Sequence, residues 1–147
     1  AADLVCVHDA VRPCVLEKWI DEVFAEATKS GAAILAAPLS GTIKRVAGSG
    51  VIDETVSREG LFQAQTPQVF RKDVLRKAYA ALPQGCKPTD DAEVVERSGH
   101  GVTVVVTDHR NLKITTPGDM SLAAVLVKDM ARAPRGQALG AFEEAQW

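Results

Sequence analysis

Residues 4–38 read LVCVHDAVRPCVLEKWIDEVFAEATKSGAAILAAP, and this stretch decides the fold. Leu4 to Val7 is a short apolar run rich in valine, followed directly by polar His8 and Asp9. It reads as a buried strand with chemistry at its C-terminal end. From Glu17 to Ser30, apolar Ile20, Val23, Phe24 and Ala27 fall at i, i+3, i+4 and i+7, and Gly31 stands where a helix would stop. Ala32 to Ala37 is a second apolar run, closed by Pro38. Strand, helix and strand together predict one crossover unit and a parallel sheet.

Working outward, Thr42 to Arg58 alternates polar and apolar residues on both sides of Gly48, Ser49 and Gly50, which predicts a protruding hairpin arm over about 38–60. Leu61 to Phe70 returns to strand-like sequence, and Leu75, Ala78, Tyr79 and Leu82 mark a helix face. Thr89 or Asp90 can cap a short helix ending at Arg97. Val102 to Val106 and Leu112 to Thr115 read as strands, and Thr116, Pro117 and Asp119 start a helix running to about Ala131. Residues 1–132 thus form one α/β domain; 133–147 read as a loose tail in which Phe142 and Trp147 can dock.

With 147 residues, 46% hydrophobic and 24% charged, the chain is long enough to bury a core. Its formal charge of −2 (17 basic against 19 acidic side chains), without any block of one sign, argues against a general nucleic-acid or membrane-surface binder. Neither a spanning run nor a secretory signal is legible. Cys6, Cys14 and Cys86 lack a CxxC pair or a His partner at ligand spacing, so idle thiols in a reducing compartment are expected. The chain opens on Ala1 and enters a strand almost at once, as if joined midway through a domain.

Polar groups gather where strands should end: His8, Asp9 and Arg12, then Thr66 and Gln68, then Asp108 and Lys113. In open α/β sheets the ligand crevice lies outside those ends. Asp9 suits a hard cation such as Mg²⁺, and equally a turn or cap. Arg12, Lys44, Arg58 and Lys113 can meet phosphate oxygens or stand as solvated charge. Thr42, Thr66 and Thr89 can donate hydroxyl hydrogen bonds to a phosphate or polyol, or serve strands and caps. For His8, His100 and His109 an ordinary hydrogen-bonded or exposed place is the simpler reading, and Asp90 and Asp91 suit either a metal or a helix N-terminus. No serine or cysteine sits at a nucleophile elbow. These features alone give a phosphate-handling α/β domain.

Four motifs in order go further: His8-Asp9-Ala10-Val11-Arg12-Pro13, Gln65-Thr66-Pro67-Gln68, Thr89-Asp90-Asp91 and Asn111-Leu112-Lys113-Ile114-Thr115. Over about Asp3 to Ala131 the chain resembles the 2-C-methyl-D-erythritol 4-phosphate cytidylyltransferases. The resemblance implies a three-layer, Rossmann-like (glycosyltransferase-A-like) nucleotidyltransferase sheet with an inserted β-hairpin arm. It implies transfer of CMP from CTP to methylerythritol phosphate, in the cytoplasm or a plastid stroma. Asp9 would hold Mg²⁺ and act with Lys113 in catalysis, while Arg12, Thr66, Thr89 and Lys113 surround the substrate. Thr42 and Arg58 match arm positions that reach the second subunit's site in a homodimer.

The family's Gly-rich loop, which cradles the CTP phosphates, is not found in these residues; Gly48 to Gly50 lies in the arm turn. Negligible activity is therefore expected of the chain alone. Two other readings stay open: a ribitol-5-phosphate cytidylyltransferase, against which Lys44 and Ser57-Arg58-Glu59-Gly60 speak, and a non-catalytic remnant that dimerises through its arm.

Overall fold

The computed structural model describes residues 3–132. In chain order the elements are β1 (Leu4–Val7), α1 (Glu17–Ser30), β2 (Ala32–Pro38), β3 (Ile43–Val46), β4 (Ile52–Val56), β5 (Phe62–Arg71), α2 (Lys72–Ala81), α3 (Asp91–Arg97), β6 (Thr103–Val106) and α4 (Pro117–Arg132). The expected tail lies outside the described residues.

The main sheet has the order β1-β5-β2-β6. β2 and β6 are parallel, but β5 runs antiparallel to both β1 and β2 and lies between them. The sheet is therefore mixed, not parallel as expected. The crossover through α1 does return β2 parallel to β1, one strand further away. The crossover sets the direction of these two strands and leaves open that β5, far downstream in sequence, inserts between them, which is why the local pattern did not supply it. β1 is also less buried than its composition suggests, with Cys6 exposed on an outer strand.

Alternation along the inner strands builds two cores. Ala33, Leu35 and Val69 pack under Trp19, Val23 and Ala27 of α1. Ala32, Ile34 and Phe70 pack on the other face against Ala78 of α2 and Ala92, Val94 and Val95 of α3. Helices on both faces give the three layers. The buried stripe of α1 is centred on Trp19, Val23 and Ala27, rotated slightly from the expected one. Gly31 ends α1 at φ 90°, its N–H donating to the Ala27 carbonyl at 2.9 Å. A Cβ there would stand 3.0 Å from His100 Nε2.

The arm exists as expected: β3 and β4 pair antiparallel as a separate two-stranded sheet. Asp90, not Thr89, caps α3, accepting from the Glu93 N–H at 2.9 Å. At the start of α4, Asp119 accepts from the N–H groups of Thr115 and Thr116, in the manner of a capping box. Residues 112–115 are not a strand; their one link of that kind is Ile114 N–H to the Val11 carbonyl at 2.9 Å.

The detail that positions the site is a break in the β5 ladder. Ile34 pairs with Gln68 and Ala36 with Ala64, so Leu35 alone lies opposite Gln65, Thr66 and Pro67. Proline brings no N–H to a ladder, and an inner strand tolerates it at such a bulge.

Because Phe70 is fully buried between β2, α2 and α3, Phe70→Ala should lower unfolding free energy by about 3–5 kcal/mol. Urea unfolding at unchanged slope checks this, and a loss below about 1 kcal/mol would contradict the packing described.

Candidate functional site

The polar C-terminal end of β1 meets the bulge in the middle of β5, where Thr66 lies inside the strand and not at its end as expected, and the segment after β6. Asp9 Oδ2 accepts from Arg12 Nε at 3.2 Å and forms an ion pair with Lys113 Nζ at 3.1 Å. Arg12 is nearly buried, whereas Lys113 and Asp9 reach solvent. Partial burial alone would push the Asp9 carboxyl up; Lys113 and Arg12 together outweigh it and hold it below the usual carboxylate range.

The hydrogen bonds around Asp9 have a fixed direction. The Arg12 carbonyl can only accept, so His8 Nε2, 3.2 Å away, carries the proton. In the neutral ring Nδ1 is then an acceptor, and the Thr66 hydroxyl donates to it at 3.0 Å. That hydroxyl in turn accepts from the Asp9 N–H at 2.9 Å. His8 thus orients Thr66, and Thr66 pins the backbone of Asp9.

Beneath lies a buried amide network. Asn111 Nδ2 donates to Gln65 Oε1 at 3.0 Å and to the Thr66 carbonyl at 2.9 Å. Gln65 Oε1 also accepts from the Thr107 hydroxyl at 2.8 Å, and Gln65 Nε2 donates to the Asp108 carbonyl at 3.0 Å. The Asn111 carbonyl accepts from Arg12 Nη1 at 2.6 Å. Exchanging the Asn111 amide atoms would set oxygen against two acceptors, so its orientation is fixed. Its Oδ1 is left buried without a partner, an arrangement that costs about 1–3 kcal/mol. Outside the network, Arg110 forms a forked pair with Asp108 and stands over the Trp19 ring.

Of the sequence-predicted residues, the structure brings together Asp9, Arg12, Thr66 and Lys113. Thr89 has no hydrogen bond to that cluster among the described residues; its neighbour Asp90 accepts from Gln68 Nε2 of β5 at 2.9 Å, and Gln68 Oε1 accepts from the Ala92 N–H at 3.1 Å. The Thr89 hydroxyl and N–H both donate to Glu93. The Thr89 N–H, the Arg97 guanidinium and the Thr89 hydroxyl lower the Glu93 carboxyl to about 2. Thr42 and Arg58 stand at the arm base, with no hydrogen bond or ion pair to the Asp9 cluster among the described residues. Arg58 donates to the Ser40 carbonyl and, with Pro38, Leu39 and Ser40, lines a cavity of about 580 Å³. Lys44 on the arm donates to Thr55. His109 and Ser40 are in hydrogen-bond contact at 3.2 Å, so the arm base adjoins the loop leading to Lys113.

The family model of 2-C-methyl-D-erythritol 4-phosphate cytidylyltransferase (IspD) matches residues 1–129. The chain belongs to this family. It is 48% identical over 126 residues to the 2-C-methyl-D-erythritol 4-phosphate cytidylyltransferase of Rhodopirellula baltica, covering 86% of this chain and 51% of that protein. With the protein of the same name from Acidobacterium capsulatum the identity is 47% over 132 residues, covering 87% and 55%. Among solved structures, the Thermus thermophilus cytidylyltransferase superposes with a TM-score of 0.80 at 36% identity, covering 87% of this chain and 63% of that one. The Francisella tularensis IspD structure gives 0.76 at 34%, covering 84% and 58%. The chain spans about half the length of the curated relatives it matches. No helix among the described residues is long and apolar enough to cross a membrane.

Within this cytidylyltransferase-family chain the Asp9 carboxylate is stabilised in its charged form, so its contribution to folding is present above the usual carboxylate range and is lost as pH falls below it. Lys113→Met should raise the Asp9 carboxyl and move that acid loss to higher pH. A carbon-13 titration of the Asp9 carboxyl checks this; an unmoved midpoint would contradict the ion pair.

Proposed function

We propose that the protein to which this chain belongs transfers CMP from CTP to 2-C-methyl-D-erythritol 4-phosphate, in the non-mevalonate route to isoprenoids and in the cytoplasm. The observation that carries the reading is Asp9 held between Arg12 and Lys113 at the end of β1, in a chain whose relatives are named for that alcohol phosphate. A phosphate oxygen of the alcohol attacks the α-phosphorus of CTP, the new P–O bond forms, and pyrophosphate leaves with the electrons of the broken α–β bridge. Two polyanions must approach, so positioning and charge neutralisation dominate and no protein nucleophile is needed.

Lys113, exposed above Asp9, meets the incoming phosphate, and Arg12 holds both Asp9 and the loop before Lys113 in place. Thr66 faces the same point. The Thr89 hydroxyl proton is engaged by Glu93, so its oxygen is offered as an acceptor, the sense that suits a polyol hydroxyl. Magnesium suits one carboxylate oxygen plus waters and phosphate oxygens, and Asp9 is the carboxylate that would hold it. Among the described residues no cluster of three His, Cys, Asp or Glu forms an all-protein cage. Bound there, the ion supplies neutralisation of the nucleotide phosphates. Thr42 and Arg58 act across a homodimer formed by exchange of arms, whose tips expose Val46, Val51 and Ile52. The ribitol-5-phosphate reading gains no support from the relatives' names.

The test is a chimera in which residues 3–132 replace the matched half of the Rhodopirellula baltica protein. Pyrophosphate release should be seen with CTP and methylerythritol phosphate, exceed that with ribitol 5-phosphate, and fall by about 10²-fold or more in Lys113→Ala. A folded chimera that turns over neither alcohol phosphate, or prefers ribitol 5-phosphate, would overturn the proposal.

A further inference from the structure

The ladder break in β5 leaves the Thr66 carbonyl to be satisfied from outside the sheet, and the Asn111 side chain does so. Asn111 is fully buried and holds the Thr66 carbonyl with one N–H and the Gln65 amide with the other. Its own carbonyl takes Arg12 Nη1 at 2.6 Å. Two residues on, Lys113 reaches Asp9. All three elements of the Asp9 cluster therefore meet at one fully buried residue.

We infer that Asn111 is the positioning residue of the site: it sets the Thr66 hydroxyl against His8 and the Asp9 N–H, and sets Arg12 against the Asp9 carboxylate. The inference deepens the functional reading above and rests on it for the ligand, though not for the geometry. A side chain one atom different defines the requirement. Asn111→Asp keeps size and burial but offers oxygen to the Thr66 carbonyl and to Gln65 Oε1, which are acceptors. Asn111→Ser keeps a single donor on a shorter stem and cannot bridge the two. Both variants should loosen the bulge and release Thr66 from Asp9 while leaving β2 and its two cores intact.

Two measurements on the 147-residue chain decide this. Without ligand, amide hydrogen exchange at Asp9 should quicken by about tenfold or more in both variants, with Ile34 and Leu35 of β2 unchanged. In calorimetric titration with 2-C-methyl-D-erythritol 4-phosphate and Mg²⁺, both should bind at least about tenfold more weakly, the order expected from losing a buried hydrogen bond. Val94→Ala, in the core against the opposite face of β2, is the control: it should lower the melting temperature yet leave affinity and Asp9 exchange unchanged. Unchanged Asp9 exchange in the Asn111 variants, uniform quickening at every amide, or an equal loss of affinity in Val94→Ala would overturn the inference. If the unaltered chain binds no alcohol phosphate, the exchange arm alone decides the role of Asn111, and the chimera decides the functional reading.

Discussion

Between Ala64 and Gln68 an inner strand runs three residues against one of its neighbour, and the polar machinery of this chain is assembled around that interruption. A ladder satisfies backbone groups automatically; a bulge with a proline in it does not. Side chains must take over, and burying them demands a network complete enough to offset desolvation. Gln65, Thr107 and Asn111 form it. At the same break the Thr66 hydroxyl turns toward His8 and the Asp9 N–H. Structural necessity and site geometry are thus one feature.

Above the network the electrostatics are asymmetric. Arg12 is buried and committed, with donors on Asp9 and on the Asn111 carbonyl. Lys113 is half exposed and, among the described residues, is held through an ion pair of the kind that contributes little to stability. A cation held loosely beside a carboxylate can swing to an incoming phosphate at small cost, whereas the buried guanidinium keeps the frame. Arginine's rigid fork and lysine's mobile point charge suit these two duties. The forked Asp108–Arg110 pair braces the turn between Thr107 and Asn111 from outside.

Much of this was legible in the sequence. The β1–α1–β2 unit shows as apolar runs of different period, the arm as alternation about Gly48 to Gly50, and the convergence of Asp9, Arg12 and Lys113 as polar residues following strands; Thr66, expected at a strand's end, lies instead inside β5, at its bulge. What failed has physical reasons. The β1–α1–β2 crossover fixes the relative direction of β1 and β2 but not which later strand inserts between them, so a mixed sheet read as parallel. Leu112 and Ile114 alternate as a strand would, but Arg12 occupies the Asn111 carbonyl and the only ladder-like bond is that of Ile114. Asp90 displaced Thr89 as cap because its carboxylate meets the Glu93 N–H, leaving Thr89 to Glu93 itself. Gln65 and Asn111 were visible only as letters in motifs, since an uncharged amide carries no periodicity that separates a buried hub from a surface residue.

On the proposed function the alcohol phosphate sits over Asp9 and Lys113 and not in the hollow at the arm base. A crystal structure of the chain grown with 2-C-methyl-D-erythritol 4-phosphate and Mg²⁺ tests it most directly. Phosphate oxygens should lie about 2.7–3.2 Å from Lys113 Nζ, with the Lys113–Asp9 pair opened and the Asn111 network unmoved. Phosphate bound instead among Pro38, Leu39, Ser40 and Arg58, with Lys113 still on Asp9, would contradict it.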